Sequence, residues 1–291
     1  MAYVTEENLT DVAVERWSNI PDPRLREVMT SLVRHLHAFV RDVEPTGPEW
    51  FAAIDWLTRT GKMCDDKRQE FILASDVLGV SMLVDAINNR SPGGATPSTV
   101  EGPFHIPNSP DVADGGDMAK GAPGIACFVT GRVTDLNGRP VGGALLDLWQ
   151  TDGEGLYEAQ RGTEAAWMRG LYRSNPDGSY TVRTVAPIGY TIPLDGTVSE
   201  LMNRTGISHF RPAHIHFAVS AQGYKPVITH LFQRGDPYIE TDVVFGVKEK
   251  LIVDFVKKDG GKAPTGETMT APFYEVRYDF VLQSAAQQKV A

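Results

Sequence analysis

The chain has 291 residues, enough to bury a large core. Its 28 Lys and Arg against 37 Asp and Glu leave a formal charge of −9, and with no Lys/Arg-rich run, nucleic acid and anionic membranes are not expected partners. Two cysteines, Cys64 and Cys127, are too few for a disulfide framework and lack the spacing of a Cys-x-x-Cys zinc site, which suits a reducing cytoplasm.

The opening Met1-Ala2-Tyr3-Val4-Thr5-Glu6-Glu7 has neither a basic nor an apolar signal region, so no export signal is expected. A helical pattern covers residues 6–17. A second, over residues 22–43, starts with an Asp22 cap and Pro23 in the first turn, then places Leu25, Val28, Met29, Leu32, Val33, Leu36, Phe39, Val40 and Val43 at helical spacing. Its His35 and His37 are turned about 200° from each other on a helix and cannot share one ion. Helical patterns follow over residues 48–59 and 67–86. The last of these is the most apolar stretch, but Asp76 and Asp85 interrupt it and no membrane span is expected.

Composition then changes. Ser91-Pro92-Gly93-Gly94-Ala95-Thr96-Pro97 opens a Pro/Gly-rich stretch reaching Gly124, too long for an ordinary connector, and Val100, Phe104 and Ile106 give it anchors for wrapping a site. Beyond it the pattern is β: residues 127–134, 144–151, 180–185, 214–219, 227–232, 251–255 and 274–282, punctuated by Asn-Gly and Asp-Gly turns at Asn137-Gly138, Asp152-Gly153 and Asp177-Gly178. Short strands without intervening helices predict an α+β protein: an all-helical N-terminal region (residues 1–90), a wrapping linker (91–124) and an antiparallel β-sandwich domain (125–291).

The chemistry is concentrated in Arg211-Pro212-Ala213-His214-Ile215-His216. On a strand His214 and His216 share one face, while Ala213, Ile215, Phe217 and Val219 cover the other. Two nitrogens do not complete a metal site. Iron(II) ordinarily takes two histidines and a carboxylate, and zinc a third His, Cys or carboxylate. No carboxylate accompanies this pair, and a metal-dependent hydrolase barrel would need alternating strands and helices. Tyr157, after the Asp152-Gly153-Glu154-Gly155 turn, and Tyr190, in Pro187-Ile188-Gly189-Tyr190, are on offer instead. A phenol with pKa near ~10 is held as phenolate by a strong Lewis acid such as iron(III).

Assembled, these segments resemble those of intradiol ring-cleavage dioxygenases, over nearly the full length. The resemblance rests on the helical N-terminal region, Gly138-Arg139-Pro140-Val141-Gly142-Gly143-Ala144 leading into Leu148-Trp149-Gln150-Thr151-Asp152-Gly153, the Gly189-Tyr190 loop, and the His214/His216 motif. It implies one Fe(III) per chain bound by Tyr157, Tyr190, His214 and His216. Tyr172, in a near-duplicate Gly170-Leu171-Tyr172, is the rival to Tyr157 and otherwise a core tyrosine on a strand. It also implies that Tyr190 acts as both ligand and base, that Arg211 stabilises developing negative charge, and that O2 is inserted between two oxygen-bearing carbons to give a muconate-type diacid without external reductant. A homodimer through the N-terminal helices, with a trapped amphipathic lipid such as a phospholipid, belongs to the same implication.

Within the family the sequence is most similar to the hydroxyquinol-cleaving members, whose pocket positions match Leu73, Asp76, Val100, Gly102, Phe104, Ile192, Pro193, Arg211 and Val244. Asp76 has Ile72, Val80 and Leu83 as helical neighbours, and a carboxylate on an apolar face is costly without a partner; a third ring hydroxyl would supply one. His230 stands where catechol-cleaving relatives tend to have glutamine, and is assigned to the pocket too. The expected substrate order is 1,2,4-trihydroxybenzene, then catechol, then chlorinated or alkylated catechols. The alternative of another class is a transthyretin-like binding module with incidental histidines.

Overall fold

The computed structural model describes residues 3–65, 68–90, 93–161 and 166–285. Met1 and Ala2 of the opening stretch, Lys67 at the start of the fourth helical pattern, and Ser91-Pro92 lie outside the described residues. The chain divides into two compact units, Met1–Arg59 and Thr60–Ala291.

The first unit holds α1 (Leu9–Ser18) and α2 (Pro23–Val43), and α3 begins in it (Gly47–Lys62). Asp22 caps α2 as its spacing predicts, its carboxylate accepting from the Arg24 and Leu25 amides at 2.8 and 3.0 Å. His35 and His37 lie on this helix with separate partners, the Ser31 carbonyl and the Thr10 hydroxyl. The apolar stripe of α2 remains exposed: Leu25, Leu36 and Phe39 each keep half or more of their surface.

In the second unit the fourth helical pattern is two helices, α4 (Glu70–Val77) and α5 (Val80–Asn88). Gly79, at φ 73°, makes the break in the left-handed region where glycine is unstrained. The buried face is not the apolar one that a single continuous helix would present. Glu70, Leu73, Ala74 and Asp76 are buried in α4, whereas Ile72, Val80 and Leu83 are exposed. Asp76 is buried although Ile72, one turn before it on α4, stays exposed, and Val80 and Leu83 belong to a separate helix beyond Gly79.

The β region is built on β1 (Ala126–Asp135), β2 (Leu145–Trp149), β3 (Arg169–Arg173), β4 (Ser179–Val185), β5 (Tyr190–Thr191), β6 (Phe210–Arg211), β7 (His214–Ser220), β8 (Val227–Gln233), β9 (Ile252–Val253), β10 (Val256–Lys258), β11 (Gly261–Lys262), β12 (Thr268–Met269), β13 (Phe273–Arg277) and β14 (Phe280–Leu282). One five-stranded sheet runs β3-β2-β7-β8-β9; the other joins β10, β13, β1 and β14, with β4 also on β1. The inner faces meet in one apolar core that includes Leu146, Leu148, Ile215, Phe217, Val129 and Phe280. This is the sandwich, but its sheets are mixed. β1 pairs in parallel with β13 and β14, and β8 with β9. The hairpin turns signal only local antiparallel neighbours; the parallel partners of β1 come from the far end of the chain.

Two further differences concern helices and strand ends. A short α6 (Glu158–Arg161) follows Tyr157, and α7 (Thr197–Thr205) lies inside the region expected to be all β. The run 274–282 is two strands, since the chain leaves one part of β1 at Arg277 and rejoins it further along at Phe280. The stretch 93–124 is ordered along the β region: Thr99 N donates to Ile228 O, Val112 N to Leu171 O and Met118 N to Arg183 O.

Candidate metal centre and substrate cavity

β7 carries the centre. Its Ile215, Phe217 and Val219 enter the core between the sheets, which forces His214 and His216 onto the opposite face. Their Nε2 atoms stand 3.1 Å apart. His214 Nδ1 lies 2.6 Å from the Pro212 carbonyl, so it carries the proton and Nε2 keeps its lone pair.

Tyr157 is delivered by the turn before it. Asp152 Oδ1 accepts from the amides of Glu154 and Leu156, and its Oδ2 from the Arg161 guanidinium. Gly155, at φ 82°, lets this turn close on Tyr190, whose Cβ would be only 3.3 Å from a Cβ at 155. Tyr190 sits on β5, directly across from Arg211 on β6. The Tyr157 hydroxyl is 2.9 Å from that of Tyr190 and 2.9 Å from His216 Nε2. Four donor atoms from three sequence regions thus meet at about 3 Å spacing. Tyr172 is elsewhere: it is buried in the core and donates to the Gly116 carbonyl at 2.8 Å.

An ion bonded at ~2.0–2.2 Å separates adjacent ligand atoms by about 3 Å, so these two phenols and two imidazoles fit a metal. Among the described residues a three-histidine group, His214, His216 and His230, also clusters, with one ring nitrogen each within 4.8 Å. That spread is wider, and His230 Nδ1 is taken by the Thr99 hydroxyl at 2.6 Å. The two-Tyr, two-His set is the better geometry. Burial pushes the Tyr157 and Tyr190 phenols up, Arg211 partly opposing this at Tyr190. Burial, reinforced by Arg211 at His214 and His230 at His216, pulls both imidazoles down. All four donors are neutral by themselves, and only a strong Lewis acid makes phenolates here.

Beside the centre is a cavity of ≈ 680 Å³ including its open mouth. Leu73, Asp76, Val100, Gly102, Phe104, Ile192, Pro193, Arg211 and Val244 all line it, with Tyr190 and His216 at the metal side. Phe104 stacks on Tyr157 at 4.4 Å between ring centres. Burial raises the Asp76 carboxyl, with Ser81 and Arg211 pulling the other way. Arg211 is buried and donates through Nε to Asp242 Oδ1 at 3.1 Å, while another of its nitrogens lies 3.2 Å from His214 Nε2. His230 does not reach the wall. It is fully buried across from His216 on β8, its ring centre 4.2 Å from that of His216, because the β7–β8 register makes the two direct neighbours.

Sequence reasoning missed Asp242, which holds Arg211 and also accepts from the Gly246 amide at 2.9 Å. It also missed Arg68, Gln69 and Glu70 at the cavity edge. Arg68 pairs with Asp195 and Glu70, and Glu70 receives the Val198 amide in the first turn of α7. The only signal was a charged cluster before an apolar helix.

Two family models match the chain. Residues 100–284 match the dioxygenase model and residues 22–96 the catechol dioxygenase N terminus. The chain belongs to the intradiol ring-cleavage dioxygenases, a non-haem iron family, and is an enzyme of that class. Over 97% of this chain and 99% of its own length, a 6-chlorohydroxyquinol 1,2-dioxygenase from Cupriavidus pinatubonensis is 48% identical; a hydroxyquinol 1,2-dioxygenase from Rhizobium sp. is 44% identical over 96% of each. The solved hydroxyquinol 1,2-dioxygenase from Pseudomonas putida superposes with a TM-score of 0.90 at 45% identity, covering 96% of this chain and 98% of that one. The catechol 1,2-dioxygenase from Pseudomonas arvilla gives 0.82 at 26%, covering 96% and 92%. No helix among the described residues is long and apolar enough to cross a membrane.

Proposed function

We propose that this enzyme cleaves hydroxyquinol (1,2,4-trihydroxybenzene) with O2 between its vicinal hydroxyl-bearing carbons, giving 3-hydroxy-cis,cis-muconate, the tautomer of maleylacetate. The observation that carries the substrate is Asp76, a buried carboxylate in an otherwise largely apolar cavity next to the two-Tyr, two-His centre. The identities with hydroxyquinol-cleaving relatives support it. Tyr157, Tyr190, His214 and His216 would hold one ferric ion per chain. That ion supplies the Lewis acidity that makes phenolates, and a doubly deprotonated diol, accessible near neutral pH.

The residues around it do the rest. Tyr190, as phenolate, would accept the proton of one diol hydroxyl and a hydroxide from solvent that of the other, while Tyr157, held by the Asp152 turn and by Phe104, keeps its place. Arg211, already charged and fixed by Asp242, faces the negative charge that develops on the ring oxygens and needs no rearrangement to do so. Phe104, Ile192, Pro193 and Val244 exclude water and fix the ring plane. Asp76 accepts from the third hydroxyl.

The wider assignment is a cytoplasmic homodimer whose residues 1–90 associate, possessing a phospholipid site there, with residues 91–124 wrapping the catalytic region 125–291. The exposed stripe of α2 supports the dimer, and the free thiols of Cys64 and Cys127 support the compartment. Oxygen uptake by purified protein against hydroxyquinol, catechol and chlorocatechols tests the function. Hydroxyquinol should give the highest kcat/KM; a higher value for catechol would replace the substrate assignment.

A further inference from the structure

The segment 100–107 crosses the cavity with few attachments. At one end Thr99 N donates to Ile228 O, and at the other Arg169 donates to the Asn108 carbonyl. Between them, among the described residues, one hydrogen bond ties the segment to a sheet: His105 Nε2 to Asp147 Oδ2 on β2, 3.2 Å. The other ring nitrogen, Nδ1, lies 3.0 Å from Glu101 Oε1. A neutral imidazole has a single N–H, so only the imidazolium donates to both carboxylates. The other oxygen of Asp147, Oδ1, is buried without a hydrogen-bond partner, so the imidazole at Oδ2 is the carboxylate's side-chain contact.

The contact reaches the centre in one step. His105 packs on Trp149 at 4.5 Å between ring centres, and Trp149 stacks on His216 at 4.6 Å. The segment's own Gly102, at φ 78°, places its backbone against the same imidazole: a Cβ there would be 3.7 Å from His216 Cε1. Phe104 stacks on Tyr157.

We propose that His105 is the positioning residue of the cavity wall: bridging Glu101 and Asp147, it holds Gly102, Pro103 and Phe104 against His216 and Tyr157, and so sets the pocket into which the ring fits. Its protonated form is the closed one. The Asp147 bond raises the imidazole pKa above its ordinary value, partial burial opposes this, and Glu101 adds to it. Arg169, a cation near the ring, opposes too but is itself engaged by Glu158 at 2.7 Å. The clasp is therefore complete below that raised value and is lost as pH rises through it. This inference rests on the reading of the cavity as a diol site.

The test uses the iron-loaded enzyme and the variants H105Q and D147N. Each variant should raise KM for hydroxyquinol at least about fivefold while kcat stays within about twofold, with iron content and the visible band unchanged. Amide hydrogen exchange in residues 100–107 should be faster in both. Wild-type KM should climb as pH passes the raised imidazole value, and H105Q should be flat there. Unaltered KM and exchange in both variants, or one pH profile shared by wild type and H105Q, would overturn the clasp; if H105Q does not fold, D147N decides by the same measures. Should the wild type turn over no diol, the function falls, and the exchange comparison still judges the clasp.

Discussion

Tyr190 and Arg211 are direct cross-strand partners in a ribbon of two residues per strand. This register sets the proposed base and the proposed charge-stabilising cation side by side, and Asp242 fixes the cation from behind with a contact of 3.1 Å. Arg211 and Asp242 are both buried, so neither charge has water to fall back on.

Removing Asp242 should therefore be severe. Asp242→Ala strands a buried guanidinium and two backbone amides, and the loss of stability should be about 3–5 kcal/mol, measured by denaturant unfolding. Asp242→Asn keeps an acceptor for the Gly246 amide and should cost less. A change below about 1 kcal/mol in the alanine variant would show that Arg211 finds another partner.

The Tyr/His set makes a spectroscopic statement. Elemental analysis should find one iron per chain, and phenolate on ferric iron gives a visible charge-transfer band. Tyr157→Phe should weaken or shift that band far more than Tyr172→Phe, because the Tyr172 hydroxyl is committed to Gly116 in the core. Chelation should bleach the protein. Stoichiometric zinc in a colourless active preparation would defeat the assignment.

The proposed role of Asp76 in substrate preference is open to a direct test. A hydrogen bond from the third hydroxyl to a charged acceptor contributes about 1.5–3 kcal/mol. Asp76→Ala should lower kcat/KM for hydroxyquinol at least about tenfold and affect catechol much less, with Asp76→Asn milder. An equal fall for both substrates, with iron lost, would instead make Asp76 a structural carboxylate.

Association is expected from α2. Light scattering at micromolar protein should return a dimer, and replacing Leu36 and Phe39 with charged residues should yield monomer, since both side chains are more than half exposed in the single chain. A wild-type monomer under these conditions would remove the dimer proposal.

The sequence by itself determined the ligand-bearing strand, because the two-residue period of Ala213 to Val219 commits His214 and His216 to one face whatever surrounds it. It determined the cap and course of α2, and the turn before Tyr157 through its Asp-Gly pair. The tertiary structure alone decided which residues 59 positions apart, Tyr157 and His216, come within 2.9 Å, and that Tyr172 does not. It decided that β1 takes parallel partners from the far end of the chain, which no local turn encodes, that the chain bends at Gly79 and puts Val80 and Leu83 on a separate helix, and that Asp76 is buried on α4. It placed His230 behind His216 rather than in the cavity, because cross-strand register is a property of two segments at once. Periodicity is written within a segment and can be read there. Which face meets which neighbour is set by packing between segments, and only the assembled sandwich fixes it.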